Sequence, residues 1–200
     1  MRVGVIGGGV SGLAAARRLV QCGIACVVFD TGKRGVGGRC SSRLAADTRF
    51  PGAVDHAAQF VERSGRSASF DALVDECVEA GALRPWDGKF VGSAEEGLGA
   101  LPLHLSAGLD VRKDVWVPPN GGVRKSKDGW VAAGETFDAV IVAHNGKCAE
   151  RLTSEDGAES PKRVVATGPP SPKVNAGPRS ARPSRSSVAL RLASRRRPQR

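Results

Sequence analysis

The sequence predicts an α/β fold: a doubly wound, mainly parallel sheet interrupted by an α+β insertion. Three observations predict it. A β-branched run over residues 2–6 opens directly into the glycine pattern Gly7-x-Gly9-x-x-Gly12. Residues 11–22 then place Leu13, Ala16, Leu19 and Val20 at helical spacing, and a second apolar run over 24–29 ends on Asp30. Far downstream, residues 140–143 form a wholly apolar run, the pattern of a parallel strand covered on both faces.

Each part of the first unit has a mechanical reason. Gly7 permits a tight turn out of the strand. Gly9 lets the backbone approach a pyrophosphate, where a Cβ would collide with it. Gly12 lets the helix pack closely on the strands. The start of the helix, at Val10 and Ser11, aims unsatisfied N–H groups and the positive end of its dipole at the phosphates. Gly23 stops the helix. Asp30 can accept hydrogen bonds from both hydroxyls of an adenosine ribose, and its charge disfavours a 2′-phosphate. Strand, glycine turn, helix, strand and acid occur in the right order, which raises the motif above a chance occurrence among 26 glycines.

Residues 31–43, TGKRGVGGRCSSR, keep the chain irregular and rich in glycine and cation where a plain dinucleotide domain would begin its next helix. This suits a second wall around a dinucleotide, with Arg39 placed to neutralise phosphate or a flavin carbonyl. A mobile basic surface loop is the equally weighted alternative.

The series GVIGGGVSGLAAARRL, VVFD, GVGGRCSSR and AVDHAAQF resembles the N-terminal half of FAD-dependent amine-oxidase-like proteins, and most closely their renalase-like branch with its plant and algal members. Residues 81–86 and 137–143 agree as well, so the resemblance covers residues 2 to about 155. It implies a Rossmann-like FAD-binding domain over 1–157. Gly7, Gly9, Val10, Ser11 and Gly12 would wrap the pyrophosphate, and Asp30 would hold the ribose. Gly38 and Arg39 would meet the phosphates and flavin edge. Gln59 and Phe60 would lie near the isoalloxazine, and Val115 would reach the adenine. The implied reaction is hydride transfer to flavin from an amine or a reduced nicotinamide-type small molecule, with O₂ or another electron acceptor. In that family the chain continues into a substrate-binding region and a C-terminal Gly-Asp motif. Neither is visible here, so an incomplete and inactive fragment is an expectation too.

Between these landmarks, Ser69 is expected to cap a helix carrying Phe70, Leu73, Val74, Cys77 and Val78, ending at Gly81. Residues 86–91 read as one strand. Residues 97–106 have helical spacing, with Pro102 near the helix start. Residues 111–117 and 130–133 are expected to form a loose hairpin around Asn120-Gly121-Gly122.

No Ser/His/Asp set and no metal-ligand cluster is visible, so no catalytic or metal residue is assigned. Structural or solvent-facing roles are favoured for His104 and His144, whereas His56 could face substrate. The five cysteines lack CxxC spacing and read as free thiols. No apolar run reaches the length of a membrane span. No signal or transit peptide is recognisable, so cytoplasm is the default, and a plastid follows only from a longer N-terminus.

The formal charge of +10 describes the tail alone. Residues 160–200 carry 11 basic side chains and no acid, with seven prolines and no aromatic. That composition predicts a disordered basic tail over 158–200, most simply GC-rich DNA read outside a coding frame. The alternative function is a non-catalytic nucleotide-binding module whose tail engages nucleic acid or an acidic partner. Nucleic acid is not an expected partner.

Overall fold

The structure is a computed structural model and describes residues 1–44, 52–63, 65–144 and 146–153. The basic tail expected from residue 158 lies outside them. Strand β1 (Arg2–Ile6), helix α1 (Val10–Gln21) and strand β2 (Ala25–Phe29) follow the expected order. They join β7 (Asp110–Arg112) and β11 (Ala139–Val142) in a four-stranded sheet of order β11-β1-β2-β7. Every neighbour in it is parallel. The chain moves outward from β1 on one side through β2 to β7, then returns to the other side as β11. This reversal leaves a crevice beyond the carboxyl end of β1, where open parallel sheets bind ligands.

Period-two alternation splits the sheet between two cores. Val3, Val5, Cys26 and Val28 face α1, α2 (Ala68–Glu79) and α3 (Ala100–Ser106). Ile6, Val27 and Phe29 face the opposite layer. That layer is an antiparallel meander of β8 (Val123–Ser126), β9 (Gly129–Ala132) and β10 (Glu135–Phe137), with Leu152 of α4 (Gly146–Thr153). Gly4 makes the layers fit, because a Cβ there would stand 3.0 Å from the Phe137 ring. Phe137 meets Phe29 edge to face at 5.9 Å. Its full burial contributes about 2–3 kcal/mol.

The insertion between β2 and β7 contains two antiparallel pairs, β3 (Ser42–Leu44) with β4 (Ala53–Asp55) and β5 (Leu83–Trp86) with β6 (Lys89–Gly92). Several expectations are corrected here. Residues 86–91 are not one strand, since Asp87 (φ +46°) and Gly88 (φ +71°) turn the chain back on itself between β5 and β6. Residues 111–117 do not pair with 130–133. Only their first part is strand, and it joins β2 in the parallel sheet, while β9 takes β8 and β10 as partners. The cap of α2 is Ser67, whose Oγ accepts from the Phe70 N–H at 3.3 Å, and Ser69 instead bonds that same hydroxyl at 3.1 Å. Helix α3 begins two residues before Pro102, whose missing N–H falls in the first turn, where no intrahelical partner is needed. Strand β11 is half-buried, lying at the sheet's edge.

Candidate functional site

The crevice is built almost wholly from backbone. Gly7 leaves β1 at φ +111°, a conformation that favours glycine, and its N–H donates to the Phe29 carbonyl at 2.8 Å. Gly12 sits where a Cβ would fall 1.9 Å from the Gly7 carbonyl oxygen, so α1 can pack this closely only with glycine there. Gly9 differs from both. Its φ of −76° suits any residue, and a Cβ on it would meet nothing within 4 Å. The protein's own packing therefore gives no reason for glycine at 9, and the open space in front of it is a cradle that a side chain would fill.

Helix α1 begins at Val10 with no side-chain cap and no acidic residue in its first turn. Ser11 is exposed and Gly9 and Val10 are half-buried. The first N–H groups of the helix thus have no side-chain cap and no carboxylate in their own turn, as an anion site requires.

Asp30 closes one side of the crevice. Its Oδ2 accepts the Gly8 N–H at 2.6 Å and its Oδ1 accepts the Gly32 N–H at 2.6 Å. Its own N–H donates to the Arg112 carbonyl at 2.9 Å, and its carbonyl accepts from Val115 at 3.0 Å. Val115 lies beyond the end of β7 rather than within a strand. It lines an apolar cleft of about 160 Å³ with Ile6, Phe29, Trp116, Val117 and Leu152. His144 and Thr31 edge the same cleft.

The glycine-rich segment after β2 is tied to the turn after β1. The Gly37 N–H donates to the Gly8 carbonyl at 2.8 Å, and Gly37 bridges Gly9 in parallel. Gly37 has φ +123° and rests on Pro102, whose Cγ would lie 2.8 Å from an added Cβ. Gly38 (φ +55°) starts a short 3₁₀ turn, Gly38–Cys40, and a Cβ on it would stand 3.6 Å from the Gly9 Cα. Arg39 is exposed, and among the described residues its guanidinium has no hydrogen bond or ion pair. Burial pushes the neighbouring Cys40 thiol up, partly offset by Arg39.

Gln59 and Phe60 reach this segment through one bond, from the Ala58 N–H to the Arg39 carbonyl at 2.9 Å. The chain then pairs Val61 with Phe90 of β6 at 2.7 and 2.8 Å. Both Gln59 and Phe60 are exposed, with the Lys89 ammonium 4.1 Å from the Phe60 ring centroid. Asp55, at the head of the same segment, accepts from Ser42 Oγ at 2.5 Å and from the Leu98 N–H at 2.8 Å, while Ser42 Oγ accepts from the Gly99 N–H at 2.8 Å. Sequence reasoning missed the parts played by Gly8, Gly37, Ser42 and Asp55. Gly37 had a signal in its place beside Arg39. Gly8 occupies a position the glycine pattern leaves free and had none.

A family described as an NAD(P)-binding Rossmann-like domain matches residues 5–77, which covers the end of β1, α1, β2, residues 31–43 and most of α2. The fold is Rossmann-like. Three solved structures of putrescine oxidase, one of them bound to putrescine, each overlap it at a TM-score of 0.33 and 27% identity. The overlap covers 42% of this chain and 17% of each putrescine oxidase chain. No curated protein matches the sequence. No helix among the described residues is long and apolar enough to cross a membrane.

Proposed function

We propose that this chain binds FAD and belongs to an oxidoreductase of the amine-oxidase-like, renalase-like kind. The observation that carries the reading is the cradle at Gly9: glycine, unforced by conformation or packing, at the uncapped start of a helix. The arrangement fits the adenosine diphosphate half of a dinucleotide. Gly9, Val10, Ser11 and Gly38 would enclose the pyrophosphate, Asp30 would meet the ribose diol through its remaining lone pairs, and the Val115 cleft would take the adenine. Arg39 would stand at the junction of pyrophosphate and flavin, supplying a charge that the described chain does not itself neutralise. Gln59 and Phe60, tied to that residue's backbone, would border the ring. A bound flavin supplies hydride acceptance from an amine or dihydronicotinamide-type substrate and passes the electrons to O₂ or another acceptor. The chain's own part is to bind and orient it.

The test is direct. The purified full chain is assayed for flavin absorbance and titrated calorimetrically with FAD, NAD⁺ and ADP. Flavin retained, or FAD bound more tightly than NAD⁺, supports the proposal. Tight NAD⁺ binding with no FAD binding reassigns the site to a nicotinamide dinucleotide, in line with the name of the matching family. A colourless protein that binds none of the three, yet binds RNA with steep salt dependence, favours a non-catalytic module acting through its basic tail.

A further inference from the structure

We infer that Asp30 is a positioning residue that latches the glycine turn after β1 to the turn after β2, and that glycine at position 8 is what admits the latch. The inference rests on the nucleotide-site reading above but concerns how the loop itself is held. Two peptide N–H groups, Gly8 in the turn after β1 and Gly32 in the turn after β2, converge on one carboxylate at 2.6 Å each. No backbone acceptor serves either N–H among the described residues. Without Asp30, two half-buried donors would lose their partner together. Through its backbone the same residue holds Arg112 and Val115. One residue therefore ties the glycine loop, the start of the second wall and the adenine cleft to a common frame.

Gly8 is the counterpart of this arrangement. A Cβ there would lie 2.6 Å from Asp30 Oδ2 and 2.9 Å from Asp30 Cβ. The second distance cannot be relieved by any rotation of the Asp30 side chain, because its Cβ is fixed by the backbone, so an alanine at 8 forces the two turns apart and lengthens both hydrogen bonds. That Cβ would point at Asp30, so a fall in ligand affinity on Gly8→Ala would be transmitted through the latch.

The experiment uses amide hydrogen exchange by NMR on the full chain, with ADP calorimetry beside it. Asp30→Asn keeps the side-chain shape but leaves one acceptor oxygen for two donors. It is expected to speed exchange at Gly8 and Gly32 by about 10-fold or more, as loss of a hydrogen bond to a charged group implies. Gly8→Ala is expected to speed exchange at Gly32, which it does not touch, by a similar factor. The double variant should be no worse than either single one, because the two substitutions remove the same contact. ADP affinity should fall by about 10-fold in both single variants. Wild-type exchange at Gly32 in Gly8→Ala overturns the latch. So does full ADP affinity in Gly8→Ala alongside a loss in Asp30→Asn, which would make Asp30 a direct ribose contact only. If Gly8→Ala does not fold, Asp30→Asn decides alone: unchanged exchange at Gly8 and Gly32 rejects the inference. If the wild type binds no ADP, the nucleotide-site reading fails, and the exchange measurements still decide the latch.

Discussion

The two halves of the crevice are built on different terms. In the half around Asp30, the glycine loop, Asp30 and Val115 are interlocked by hydrogen bonds of 2.6–3.0 Å beside a formed cleft. In the half around Arg39, the side chains of Arg39, Gln59 and Phe60 are exposed, and the segment that carries them is held by its backbone. The first half is preorganised and gives binding at little ordering cost. The second half has its anchor points in place but leaves its side chains in solvent, where ordering them costs free energy when a ligand arrives. Recognition of a dinucleotide is thus expected to begin at its nucleotide end.

Substitutions can break that comparison, and the largest effect is expected at Gly12. Gly12→Ala places a methyl 1.9 Å from the Gly7 carbonyl oxygen and should cost about 3 kcal/mol or more, seen as a large drop in Tm and loss of all ligand binding. Gly9→Val should spare the fold, since φ is ordinary and the space is open, yet lower FAD and ADP affinity by about 100-fold as the cradle fills. An unchanged affinity by calorimetry would mean the pyrophosphate does not sit there. Arg39→Gln tests the other half. FAD affinity should fall by about 10-fold with Tm unchanged, because an exposed side chain leaves little behind when removed.

The smallest effect lies away from the crevice. Glu76 on α2 accepts from Arg17 of α1 and bonds His104 Nε2 of α3 at 2.8 Å, joining the three helices behind the sheet. The His104 hydrogen bond, and then that of Arg17, hold its carboxyl below the ordinary range. The folded protein therefore binds this proton more weakly than the unfolded chain does. The stabilisation is complete above the ordinary carboxylate range and is lost as pH falls through the lowered folded value. The site is partly exposed and screened, so Glu76→Gln should cost under about 1 kcal/mol near neutrality. The Tm gap between variant and wild type should close in acid.

The same contrast governs what was legible in the sequence. The unit from β1 to Asp30 could be read because its signals are local: β-branched runs, glycines at fixed offsets and a helical period. The role of Asp30 was only half legible. An acid at the strand end suggested a ribose contact, but its bonds to Gly8 and Gly32 depend on how two turns meet in space. Residues 111–117 show the limit most clearly. Their apolar residues suit a hairpin as well as a parallel strand, and only the distant partner β2 decides between them. The β5–β6 hairpin, by contrast, was announced by Asp87-Gly88, a strong turn signal outweighed by reading Trp86 and Phe90 as one run. Pro85 sits in β5 at residue level with Phe90 of β6, a pairing no local propensity predicts.

Strand β11 has a consequence in time as well as in space. It pairs Ala139 with Val3, and the Ala143 N–H donates to the Ile6 carbonyl at 2.8 Å. The strand that opens the chain therefore waits on a neighbour synthesised more than a hundred residues later. Until then, one edge of β1 offers unpaired backbone to any passing strand, a slow and aggregation-exposed stage of folding. Gly7 lies directly against Ala143, so a nucleotide seated on the glycine loop would favour the state in which this late pairing is already made.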